Sequence, residues 1–158
     1  MPGVKEGLPP KTILLVDDEK DMDWVMRQIL TDAGYHVVTA KTGAEGLAKF
    51  RQAAPSIRLV LLDLRLPDMS GLDLLEEIKA ISSRTKILMI TAFRTAESRR
   101  LAKKKGAVEV LDKPFRVEKV LKAARLAFEG WVWVGEGRKS RLKAACGINE
   151  GFKNLGRG

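Results

Sequence analysis

The sequence predicts a doubly wound α/β fold: one five-stranded parallel sheet in the order 2-1-3-4-5, with five helices covering its two faces. Two observations carry this expectation. First, short apolar runs alternate with stretches of helical periodicity through residues 11–128. That alternation marks strands buried on both faces and joined by helical crossovers. Second, four apolar runs stop at polar groups. Ile13–Val16 ends in Asp17-Asp18, Leu59–Leu62 in Asp63, and Ile87–Ile90 in Thr91; Val108–Leu111 is followed by Asp112-Lys113-Pro114-Phe115. Ligands of open parallel sheets sit just beyond the carboxyl ends of the strands, so these groups are expected to share one crevice.

Each element follows from local pattern. After the first strand, Met22, Val25, Met26, Ile29, Leu30 and Ala33 recur at helical spacing, and Gly34 stops the helix. Trp24 falls off that stripe. His36 to Ala40 reads as the second strand. Thr42-Gly43-Ala44-Glu45 has capping-box spacing and opens a helix through about Gln52, which Pro55 ends. Leu66-Pro67-Asp68-Met69-Ser70-Gly71 is a loop, and Leu72, Leu75 and Ile78 mark the third helix. A basic fourth helix runs from about Ala96 to Lys105 and ends at Gly106. The fifth carries Val117, Val120, Leu121, Ala124 and Phe128 inward.

Composition sets the outer bounds. The 158 residues suit one domain with a short appendage. Residues 1–10 carry Pro2, Pro9 and Pro10 and read as a flexible leader without signal-peptide character. Seven of the 14 glycines fall in residues 129–158, a basic stretch that reads as a flexible or weakly docked extension, or a linker stub, rather than a domain. Within it, Trp131-Val132-Trp133-Val134 alternates aromatic and β-branched residues, and two helical turns are expected from Arg138 to Ala145. No apolar run approaches the roughly 18 residues that span a bilayer. The lone cysteine, Cys146, excludes an intrachain disulfide and suits a reducing cytoplasm. The net charge of +9 permits acidic partners without identifying one.

The chemistry of the strand ends is specific. An aspartate can accept a phosphoryl group as a nucleophile, and Asp63, on the central third strand, is best placed to do so. Clustered carboxylates repel one another unless a cation is present. Their hard oxygens suit Mg²⁺, or Mn²⁺. Asp18 and Asp63 are the expected direct ligands, with Asp17 acting through water. Lys113 and the Thr91 hydroxyl would hold phosphoryl oxygens, since phosphoryl transfer depends on positioning and charge stabilisation. Pro114 is a candidate cis proline fixing how Lys113 projects.

Together, Leu14-Leu15-Val16-Asp17-Asp18-Glu19, Leu62-Asp63-Leu64-Arg65-Leu66-Pro67-Asp68-Met69-Ser70-Gly71, Thr91-Ala92 and Lys113-Pro114-Phe115 resemble the signature of response-regulator receiver domains of two-component signalling, over about residues 11–128. The resemblance implies a flavodoxin-like fold and transfer to Asp63 from a phosphohistidine on a sensor histidine kinase or phosphotransfer protein. It also implies Mg²⁺ dependence, with the Arg65 backbone carbonyl as a further ligand. A receiver of this kind is a phosphorelay switch that catalyses its own phosphorylation and dephosphorylation rather than a turnover enzyme.

Three departures from that pattern are informative. Many receivers carry Tyr or Phe three residues before the lysine, where this chain has Val110. Displacement of Thr91 is therefore expected to be read through the backbone and the following helix, unless Val110 merely fills its strand. Arg65 and Phe93 lie two residues after Asp63 and Thr91 and are expected to overhang the site and slow loss of the phosphoryl group. On the fourth helix, Ser98, Leu101 and Ala102 should face inward and Arg99, Arg100, Lys103 and Lys104 outward. With Lys119 and Lys122 these cations would form a basic face, suited to an acidic protein partner or a dimer. Two other functions compete with the switch. A phosphatase would present two aspartates separated by one residue on the first strand, where Asp17 and Asp18 adjoin, and Asp63-Leu64-Arg65 lacks a second carboxylate. A DNA-binding regulator would need a recognition module longer than residues 129–158.

Overall fold

A computed structural model describes residues 11–53, 56–92 and 95–129, together with the backbone of 131–133 and 139–141. The core is a parallel sheet of β1 (Thr12–Val16), β2 (His36–Ala40), β3 (Ile57–Asp63), β4 (Lys86–Thr91) and β5 (Glu109–Asp112), in the order β2-β1-β3-β4-β5. The helices α1 (Lys20–Asp32), α2 (Gly43–Ala53), α3 (Gly71–Ile81), α4 (Ala96–Lys104) and α5 (Val117–Glu129) alternate with the strands. Both the order and the five-helix cover are those predicted.

Period-2 alternation divides the strand side chains into two cores. Leu14, Val16, Val60, Leu62, Ile87 and Met89 pack with Phe50 of α2, Leu74, Leu75 and Ile78 of α3, and Ala102 of α4. Ile13, Leu15, Leu59, Leu61, Leu88 and Ile90 pack on the other face with Met26 and Leu30 of α1 and Val120 and Ala124 of α5. Each fully buried aliphatic side chain contributes about 1.5–3 kcal/mol, so the central strands supply much of the driving force for folding.

One detail of α1 differs from the sequence reading. Val25, expected inward, is 41% exposed, whereas Trp24, off the apolar stripe, is 66% exposed. The i, i+4 row Met22, Met26 and Leu30 faces the sheet, and Val25 lies about 100° away from it. The expected helix near Arg138 is also corrected: Trp131–Trp133 (β6) and Lys139–Arg141 (β7) pair as a short antiparallel ribbon, with Val132 opposite Ser140. Backbone pairing between the two short strands satisfies their N–H and C=O groups there, and it prevails over the weak helical periodicity. Among the described residues, no helix is long and apolar enough to cross a membrane.

Candidate functional site: a carboxylate cluster tied to one lysine

Sheet register brings the predicted groups together. Val16 of β1 pairs with Leu62 of β3, which sets Asp17 beside Asp63. Asp63 pairs with Ile90, next to Thr91, and Thr91 pairs with Asp112, next to Lys113. All four strands therefore deliver their terminal polar groups to one edge of the sheet. The backbone N–H of Lys113 donates to the Thr91 carbonyl at 2.8 Å, tying the start of the β5–α5 loop to β4. The Lys113–Pro114 peptide is cis, which resolves the isomer that the sequence left open.

Asp17 and Asp63 are held in the same way. Each Oδ1 accepts the backbone N–H two residues on, Asp17 from Glu19 at 2.8 Å and Asp63 from Arg65 at 3.0 Å. Each Oδ2 accepts from Lys113 Nζ at 3.1 Å. The carboxylates are thus oriented by a turn at one oxygen and by the ammonium at the other. Asp17 is 1% exposed and Asp63 8%. Burial pushes the Asp17 carboxyl above its usual range; the Glu19 N–H and the Lys113 charge oppose that shift without cancelling it. For Lys113, burial by itself would favour the neutral amine. The hydrogen bond with Glu19 and the charges of Asp17 and Asp63 outweigh burial and hold the ammonium charged, with its pKa well above the usual value.

One contributor escaped the sequence reading. Glu19 Oε1 accepts from Lys113 Nζ at 2.6 Å, closer than either aspartate. The Asp17-Asp18-Glu19 run was its only signal, and nothing in that run says which carboxylate reaches a lysine 94 residues away. Thr91 is 1% exposed at the end of β4. Phe93 lies outside the described residues; Arg65 is exposed beside Asp63.

The loop behind the acceptor is also anchored. Asp68 accepts the N–H of Gly43 at 2.7 Å and of Ala44 at 2.9 Å, so a loop carboxylate caps α2. Those hydrogen bonds hold the Asp68 carboxyl below its usual range. Ser70 caps α3 through the Leu72 N–H at 3.1 Å. Gly71 is required by close approach, because a Cβ there would lie 2.2 Å from the Asp63 carbonyl oxygen.

The donor set fits a hard divalent cation. Asp17, Asp18 and Asp63 each offer a carboxylate oxygen, all within 4.8 Å of one another. With Glu19, four carboxylates gather at the site, and Lys113 pairs with three of them. That excess of negative charge favours a metal bound through oxygen.

The basic face of α4 is partly corrected. Arg99, expected outward, turns toward β5: Nη1 donates to the Val110 carbonyl at 2.7 Å and Nη2 to Asp112 Oδ2 at 2.8 Å. Lys103 pairs with the nearly buried Glu109 at 3.0 Å. A nine-residue helix packed beside a strand bearing two acids brings its long cations within reach of them, and the sequence periodicity of α4 alone does not register this. Arg100 and Lys104 are exposed as expected. Lys119 and Lys122 line a cavity of about 550 Å³ between α4, β5 and α5. Val110 is 5% exposed and packs in the core.

Known proteins share this sequence pattern and fold. Residues 13–125 match the family model described as the response regulator receiver domain. The chain is 35% identical over 112 residues to chemotaxis protein CheY of Bacillus subtilis, covering 70% of this chain and 92% of that protein. It is 34% identical over 112 residues to the probable transcriptional regulatory protein TcrX of Mycobacterium tuberculosis, covering 71% of this chain but only 47% of that relative. Among solved structures, CheY in the CheX–CheY–BeF₃–Mg²⁺ complex of Borrelia burgdorferi superposes with a TM-score of 0.69 at 29% identity, covering 77% of this chain and 90% of that one. With the family match and the strand order in agreement, the chain belongs to the response regulator receiver domain family of two-component signalling.

Proposed function

We propose that this protein is a phosphorylation-controlled switch whose acceptor is Asp63. The observation that carries this reading is Lys113 Nζ at 3.1 Å from Asp63 Oδ2, at a buried carboxylate whose other oxygen is already fixed by the Arg65 N–H. Such an arrangement aims one oxygen outward and keeps a cation ready for charge that develops on a phosphoryl group.

In this reading a carboxylate oxygen of Asp63 attacks the phosphorus of a phosphohistidine. The new O–P bond forms as the P–N bond breaks, and the imidazole nitrogen departs with the electron pair. Lys113 then holds one phosphoryl oxygen and the Thr91 hydroxyl another. Hydrolysis reverses the state: water attacks phosphorus and releases inorganic phosphate, restoring the carboxylate. Asp17, Asp18, Asp63 and the Arg65 carbonyl would hold Mg²⁺ (or Mn²⁺), which supplies neutralisation of charge during transfer. The donor is a histidine kinase or phosphotransfer protein in the cytoplasm, and the output is a change in partner affinity rather than turnover of a small substrate. The exposed cations Arg100 and Lys104, with Lys119 and Lys122, suit an acidic partner or a second copy.

Intact mass after incubation with acetyl phosphate and Mg²⁺ tests this reading. One added phosphoryl group that disappears in Asp63→Asn and with EDTA is expected. An adduct that survives Asp63→Asn would move the acceptor elsewhere.

A further inference from the structure

Val110 puts no ring three residues before Lys113, and Arg99 reaches from α4 to β5. The Arg99 guanidinium bridges two acceptors on β5, the Val110 carbonyl at 2.7 Å and Asp112 Oδ2 at 2.8 Å. Among the described residues, Asp112 Oδ1 is buried and has no hydrogen-bond partner. Asp112 is the register partner of Thr91 and immediately precedes Lys113, whose Nζ touches Asp63. The same carboxylate thus joins the site to α4.

We propose that Arg99 is a positioning residue that couples the state of Asp63 to α4 by exchanging one acceptor for another. In the arrangement described, its planar fork spans the Val110 carbonyl and one Asp112 oxygen. When Thr91 and Lys113 are drawn toward a phosphoryl group on Asp63, the end of β5 shifts with them. The fork then takes both oxygens of Asp112, satisfying Oδ1, and the Val110 carbonyl passes to water. Each state has two charge-assisted hydrogen bonds. The two states are therefore close in energy, and a small displacement selects between them. The helix carrying Arg99 must move to follow. This inference rests on the acceptor role proposed for Asp63.

The test is amide hydrogen exchange across α4, with and without acetyl phosphate and Mg²⁺, with intact mass read on the same samples. The variants are Arg99→Lys and Asp112→Asn. Lysine keeps the charge but cannot span two acceptors in one plane; asparagine removes the second charged oxygen. They act from opposite ends of the pair, so poor folding of one leaves the other informative. In the wild type, α4 exchange is expected to change about tenfold on phosphorylation. In either phosphorylated variant the change should fall below about twofold. A full α4 response in phosphorylated Arg99→Lys or in phosphorylated Asp112→Asn overturns the exchange of acceptors. So does a wild-type adduct without any α4 response. Absence of a wild-type adduct instead overturns the acceptor role on which the inference rests, and the mass measurement separates that failure from the others.

Discussion

The carboxylate site and the α4–β5 contact are built from the same chemistry, cations against carboxylates, yet they differ in depth. Lys113 has 14% of its side chain exposed and binds three carboxylates, two of them nearly buried. Arg99 and Lys103 have 38% and 45% exposed and pair with one acid each. Charges withdrawn from water interact strongly and in fixed geometry, whereas solvated pairs contribute little and rearrange easily. The first region is suited to positioning reacting atoms, and the second to changing its contacts in response. Removing ions should therefore have large effects at the first region and small ones at the second.

The largest effect is expected at the lysine. Lys113→Ala should slow phosphoryl uptake from acetyl phosphate about 100-fold. Mg²⁺ binding, followed by calorimetry, should persist, because the carboxylates remain and lose a competing cation. Uptake at the wild-type rate would show that the ammonium is an ornament of the ground state. Next comes Gly71→Ala, which forces a methyl against the Asp63 carbonyl. Urea denaturation should show a loss of about 1–3 kcal/mol, accompanied by impaired uptake.

A smaller effect, of opposite sign, is expected at Asp17. Its carboxyl pKa is raised by burial, so ionisation costs the folded state stability. Asp17→Asn should raise the melting temperature by a few degrees at neutral pH. The sign also sets the pH window. The gain is full above the raised folded pKa and vanishes as pH falls through the unfolded value of 3.8, where the wild-type group is protonated in both states. A gain that persisted in strong acid would assign the effect to something other than charge. The smallest effect is expected on α4. Arg100→Gln should change stability by less than about 1 kcal/mol, because Arg100 and Glu97 are both exposed; a larger loss would show that solvated pairs on α4 are as constrained as the carboxylate cluster and erase the contrast.

The residues that the sequence could and could not place divide along the same line. Asp17, Asp63, Thr91 and Lys113 were legible because a strand has a direction and an end. Once alternation sets the strands, the sheet register must bring those ends together. Glu19 and Asp68 were not legible as contacts. Each acts across a long stretch of chain, Glu19 on Lys113 and Asp68 on the N-terminus of α2. Arg99 was assigned to solvent because helical periodicity reports which face is apolar. It does not report what a long polar side chain can reach. Val25 was assigned to the core for a related reason: the apolar stripe of α1 is wider than the row that meets the sheet.

The sequence by itself therefore determined the α/β alternation and the acid–hydroxyl–lysine set at the strand ends. These depend on periodicities of 2 and 3.6 residues and on where apolar runs stop, both local properties of the chain. Tertiary structure alone decided which carboxylates Lys113 holds, that a loop aspartate caps α2, and that Arg99 and Lys103 turn from solvent to β5. Those contacts depend on how elements distant in sequence are tilted and spaced, because a charged side chain spends its reach on whatever acceptor packing leaves within about 3 Å.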